Sequence, residues 1–100
     1  MGTRNVRMDA TLTDNVGNPL AGKTITFKYK LSTATEWTTA GTANTGSDGK
    51  ASYTVTLTVP NTYDFRAEFA GDAEYDASFA EVLNQTIKSG TILTLTITPL

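Results

Sequence analysis

Apolar and polar residues alternate with a period of two along most of the chain, and no stretch repeats with the 3.6-residue period of a helix. Val6, Met8, Ala10 and Leu12 share one face of a first strand, opposite Arg7, Asp9, Thr11 and Thr13. Gly17-Asn18-Pro19 and Gly22 interrupt it. Ile25, Phe27, Tyr29 and Leu31 then oppose Thr24, Thr26, Lys28 and Lys30, and a weaker strand is expected from Trp37 to Ala43. Asn44-Thr45-Gly46-Ser47-Asp48-Gly49 carries turn chemistry, with Asp-Gly supplying a residue tolerant of positive φ. The clearest alternation follows: Ala51, Tyr53, Val55, Leu57 and Val59 point one way, Ser52, Thr54, Thr56 and Thr58 the other. Pro60-Asn61 turns the chain, and Tyr63, Phe65, Ala67 and Phe69 oppose Asp64, Arg66 and Glu68. Gly71-Asp72 ends that strand, and a less regular one runs from Ser78 to Lys88. After Ser89-Gly90, Leu93, Leu95 and Ile97 oppose Thr94, Thr96 and Thr98. Seven short strands with frequent turn signals predict an all-β, antiparallel sandwich with Greek-key connections. Its expected core includes Leu12, Ile25, Phe27, Val55, Leu57, Phe65 and Phe69.

One hundred residues make a single domain, 1–100, with its core over about 5–88 and an additional C-terminal strand at 91–98. Charged residues are sparse at 18%, and threonine, about a fifth of the chain, takes their place as a β-branched residue suited to half-solvated strands. The net charge of −2 gives no electrostatic case for nucleic acid or an anionic membrane. No apolar run is long enough for a membrane-spanning helix, and Met1-Gly2-Thr3-Arg4 lacks the apolar region of a signal peptide, which an excised domain would lack in any case. With no cysteine there is no disulfide or thiolate metal site.

Candidate chemistry is thin. Without histidine or cysteine, every Ser–His and Cys–His nucleophile and the usual zinc sites are excluded. No catalytic residue and no cofactor are expected. Asp72, Glu74 and Asp76 alternate like the opening of a calcium loop, but Ala77 stands where an EF-hand needs glycine and Leu83 where it needs glutamate. A looser calcium site shared with Asp14 or Asp48 is the weak alternative to Asp72 bonding the backbone of its own turn. Trp37 is the one aromatic residue whose contact with a ligand is in question; Tyr29 and Tyr53 fall on inward faces. The Thr54, Thr56, Thr58 and Thr94, Thr96, Thr98 rows suggest an ice-binding array, which the twist of an ordinary sheet would spoil. An isopeptide from Lys23, Lys28 or Lys30 to an asparagine such as Asn84 needs a buried lysine beside a carboxylic acid, whereas Lys28 and Lys30 are expected to point outward into solvent.

Three motifs carry a resemblance. Asp14-x-x-Gly17-x-Pro19-Leu20-x-Gly22-x-x-Ile25-x-Phe27, Ser47-Asp48-Gly49-Lys50-Ala51 and Gly71-Asp72-x-x-Tyr75-x-x-Ser78 resemble, in order, the first hairpin, central hairpin and late turn of bacterial and archaeal immunoglobulin-like (Ig-like) repeats, over residues 5 to about 88. Trp37 and Tyr63 are similar to the strand-C tryptophan and the corner tyrosine of immunoglobulin folds, which places Phe27 and Phe65 at the two cysteine positions. The resemblance implies a non-catalytic, disulfide-free, extracellular or cell-surface module acting as spacer and adhesion element in a tandem array. Its partners would be neighbouring Ig-like repeats and a protein or glycan on another surface, with no nucleic acid and no membrane insertion. The alternatives are a carbohydrate-binding accessory domain of a secreted enzyme and an engineered stable scaffold. Thr91 to Leu100 resembles the opening of a following repeat, expected either to fold back beside the Ser78–Lys88 strand of its own monomer or to pair with a neighbouring chain in a strand-exchanged dimer.

Overall fold

Each alternating run becomes a strand, because a pleated backbone throws successive side chains to opposite faces. The computed structural model describes residues 2–88 and 91–97, with side chains for all of these except 91–93. The strands are β1 (Gly2–Leu12), β2 (Thr24–Leu31), β3 (Thr38–Asn44), β4 (Lys50–Val59), β5 (Asn61–Phe69), β6 (Ser78–Ile87) and β7 (Thr91–Ile97). The turn expected at Ser89-Gly90, the inward placement of Leu93, and Thr98 lie outside the described residues.

Two sheets form the sandwich, one of three strands in the order β4-β1-β7 and one of four in the order β3-β2-β5-β6. Between them lie Val6, Met8, Ala10 and Leu12 of β1, Ile25 and Phe27 of β2, Leu57 and Val59 of β4, Phe65, Ala67 and Phe69 of β5, and Leu95 and Ile97 of β7, all buried. Val55, expected in the core, is only half-buried and packs at its margin.

Tyr63, at the start of β5, reaches back to donate its hydroxyl to the Thr58 carbonyl at 2.7 Å, a tyrosine corner in the position that the immunoglobulin resemblance implies. The turn glycines are set by sterics. Gly49 has φ 75°, and a Cβ there would lie 2.6 Å from the Leu12 carbonyl oxygen. Gly71 has φ 87°, and its Cβ would meet the Ala77 nitrogen at 2.7 Å. Only glycine fits either place.

The structure corrects three further expectations. Phe27 and Phe65 do not face each other across the sandwich: β2 and β5 are neighbours in one sheet, with Tyr29 opposite Phe65 and Phe27 opposite Ala67. In the immunoglobulin frame β1 is therefore the B-like strand and β2 the C-like one. Trp37 is not on β3 but immediately before it, half-buried. Finally, β7 does not lie beside β6. It crosses to the other sheet and pairs with β1 in parallel, from Val6↔Thr91 to Leu12↔Ile97, while all other pairings among the described strands are antiparallel. It takes the flank of the B-like strand that strand A occupies in an Ig domain. The reason is burial: beside β1, Leu95 and Ile97 close the core, with 2% and 0% exposure.

Candidate functional site

The outer face of the four-stranded sheet is the most chemically structured surface of the domain. Register places Lys28 opposite Arg66 and Lys30 opposite Asp64 across β2 and β5, and Arg66 opposite Glu81 and Glu68 opposite Phe79 across β5 and β6. Lys28 pairs with Glu68 at 3.0 Å, and Arg66 reaches Glu68 at 2.6 Å and Glu81 at 2.7 Å. Burial works against ionisation of Glu68, yet the hydrogen bonds from Lys28 and Arg66 outweigh it and hold the carboxyl below its ordinary range.

Aromatic groups flank this lattice. The connection between β2 and β3 brings Trp37 over the outer face, with Lys30 Nζ 5.2 Å and the Arg66 guanidinium 5.9 Å from its ring centre. On the other side the guanidinium lies 3.7 Å from the centre of the Phe79 ring. Cation–π attraction thus adds to the ion pairs in fixing Arg66. Phe79 and Leu83, both on β6, remain about half exposed.

Beneath Trp37 is a side-chain knot that alternation does not reveal. Asp64 sits at an irregularity in the β5–β6 register and is buried. It accepts hydrogen bonds from Lys30 Nζ at 2.7 Å, the Ser32 hydroxyl at 2.8 Å and the Asn84 main-chain N–H at 2.8 Å. Asn84 has the positive φ, 57°, that asparagine tolerates better than most residues. The Lys30 bond, first, and the two neutral donors hold the Asp64 carboxyl down at about 2. Lys30, expected to be solvated, does point outward but is covered by the β2–β3 connection, whose Ala34 carbonyl it also bonds at 3.1 Å. A buried lysine beside a carboxyl group thus exists, but Asp64 is ionised at neutral pH and Asn84 is exposed, so the acid and the buried amide of an isopeptide reaction are missing.

The acidic residues of the loops serve their own turns. Asp72 Oδ1 accepts the N–H groups of Glu74 at 2.8 Å and Tyr75 at 2.9 Å, and its other oxygen pairs with Lys23. Lys23, ahead of those two N–H groups, keeps the Asp72 carboxyl below its usual range. Lys23 also lies over Tyr75, which packs on the core margin. Asp14 Oδ1 accepts from the N–H groups of Asn18 and Val16, and Asp48 from that of Lys50. Glu74 and Asp76 are exposed, and no three acidic side chains converge as metal ligands among the described residues.

The structure therefore brings Trp37 together with Lys30 and Arg66 and leaves Asp72, Glu74 and Asp76 dispersed. Sequence reasoning missed Asp64, Ser32 and Phe79, and singled out Asn84 only as an isopeptide partner, whereas it is its main-chain N–H that bonds Asp64. The opposite charges of Lys30 and Asp64 become a signal only once β2 is known to pair with β5.

The Ig-like sandwich agrees with one comparison. The profile of the family described as bacterial Ig-like domain (group 1) matches residues 1–82. The chain belongs to this family. Bacterial Ig-like domains of this group occur in bacterial surface proteins and are generally non-catalytic. The matched span holds all three motif turns and stops within β6, so β7 lies outside it. No curated protein matches the chain. No helix among the described residues is long and apolar enough to cross a membrane.

Proposed function

We propose that this bacterial Ig-like domain is a non-catalytic, monomeric spacer and adhesion element of an extracellular surface protein, working beside further Ig-like repeats. The observation that carries the reading is the placement of its ends. Gly2 pairs with Val59 at one end of the sandwich, whereas Ile97 pairs with Leu12 at the other. The body measures 45 × 25 × 20 Å, and an eleven-residue strand spans about 35 Å at strand rise, so β1 must run along the long axis. A chain that enters at one pole and leaves at the other extends an array with each added copy. A glycan or protein on the opposing surface would meet the end loops or the outer face around Trp37.

Two measurements test this. On intact bacteria carrying the parent protein, an antibody to the domain should bind without lysis. Tandem copies should lengthen in small-angle scattering by about one long axis per copy. Binding only after lysis, or copies that fold side by side, refutes the reading. A second reading, a carbohydrate-binding accessory domain, draws on Trp37 lying on the outer face, flanked by Lys30 and Arg66. It requires glycan-array binding that Trp37→Ala abolishes.

A further inference from the structure

We propose that the parallel β1–β7 pair is a mechanical clamp, the element that carries tension when the two ends of the domain are pulled apart. The proposal rests on the spacer reading for the presence of a load, but its geometry is a property of this chain alone.

The load path follows from the topology. Tension at the N-terminus pulls on β1 from its Gly2 end, and tension at the C-terminus pulls on β7 from its Ile97 end. These are opposite ends of two parallel, adjacent strands. The force therefore runs along the strands and loads every rung from Val6↔Thr91 to Leu12↔Ile97 together. The last rung is reinforced by the Thr13 N–H donating to the Ile97 carbonyl at 3.1 Å. On its other side β1 is held by ten register pairs with β4, from Gly2↔Val59 to Thr11↔Lys50, so it is the better anchored of the two strands.

Side chains lock the register. Leu95 and Ile97 are buried while Thr94 and Thr96 are exposed. A slip of one residue would turn the leucine and isoleucine outward and drive the threonines into the core. A two-residue slip restores the faces but must still lift Leu95 and Ile97 out of their places in the core, so shear breaks the ladder and empties the pocket together.

Without β7 the geometry would reverse. β6 ends with Ile87 opposite Asn61, at the same pole as Gly2, and Gly2, Val59, Pro60 and Lys88 line one shallow depression there. Force between Gly2 and Lys88 would open the sandwich from one end, a rung at a time. β7 thus changes the direction of loading from peeling to shear.

Single-molecule pulling on the full chain tests this without altering the clamp. The chain has no cysteine, so an introduced thiol is a unique attachment point. Three geometries are compared: handles at both termini, an N-terminal handle with Lys88→Cys, and Val16→Cys with a C-terminal handle. Val16 is exposed on the loop beyond β1, so the last geometry loads the same β1–β7 ladder from one end. Both cysteine variants should keep the parent melting temperature, which fixes stability while direction changes. The expected result is an unfolding force severalfold higher for the two-terminus geometry than for either of the others. Equal forces in all three overturn the proposal. So does a weak first event in the two-terminus geometry that releases only β7. The forces read the domain by itself, so a clamp found here stands even if the domain is not surface-exposed, and its absence leaves the spacer reading intact.

Discussion

Replacing Asp64 by asparagine keeps the side chain's size and removes its charge. The structure sets the cost. Asp64 accepts hydrogen bonds from Lys30 Nζ, the Ser32 hydroxyl and the Asn84 N–H, all between 2.7 and 2.8 Å. Breaking a fully buried ion pair costs about 3–5 kcal/mol because the remaining charge is stranded. Here the side chains of Lys30 and Asp64 keep 13% and 9% exposure, so water reaches the rim and the expected loss is about 2–3 kcal/mol. The pH dependence gives an independent measure. The unfolded carboxyl binds its proton near pH ~3.9 and the folded one near about 2, so the contribution is complete above the unfolded value and lost as pH falls between them. Allowing for screening at the rim, that loss is about 1–2 kcal/mol. Urea denaturation of the parent, Asp64→Asn, Lys30→Met and the double variant, at neutral pH and through the acid range, reads both quantities. A change below ~0.5 kcal/mol at neutral pH, or identical acid profiles for parent and Asp64→Asn, would refute the reasoning.

Phe65→Ala removes a ring with 0% exposure and should cost about 3–5 kcal/mol, seen as a large fall in melting temperature or loss of the cooperative transition. Gly49→Ala places a Cβ against the Leu12 carbonyl at φ 75° and should cost about 1–3 kcal/mol by the same denaturation assay. Tyr63→Phe removes the bond to the Thr58 carbonyl and should cost about 1 kcal/mol, with an unchanged far-ultraviolet spectrum. Melting temperatures in calcium and in chelator should coincide, since Asp72 is taken by its own turn and Lys23; a shift of several degrees would show that Asp72, Glu74 and Asp76 do gather a metal.

Alternation made faces legible and left partners open. Most of the inward sets of β1, β2, β4 and β5 follow from the period of two, although Leu31 at the end of β2 is exposed and Val55 only half-buried. The corner at Tyr63 was legible through the resemblance to immunoglobulin folds. Pairing is different, because a strand's alternation is the same whichever edge it joins. Alternation alone therefore leaves β7 free to join β6, a neighbouring chain or β1. The placing of Phe27 and Phe65 at the two cysteine positions comes from the immunoglobulin resemblance and fails on the β2–β5 pairing. The Asp64 knot needed three facts that no local pattern carries: the β2–β5 register, the irregularity opposite Asn84, and a connection that folds Ser32 and Trp37 over the sheet. By contrast, the turn role of Asp72 was readable, because an aspartate binding N–H groups two and three residues on is a local event.

The position of β7 also orders the life of the chain before it is folded. Its partner is the first strand, so during synthesis β1 leaves the ribosome early and waits for the last strand of the domain to emerge. Until then one flank of β1 offers free backbone donors and acceptors beside Val6, Met8, Ala10 and Leu12. Pairing of such distant segments slows folding and prolongs the exposure of sticky edges. A chain cut short before Thr91 would keep that flank of β1 open.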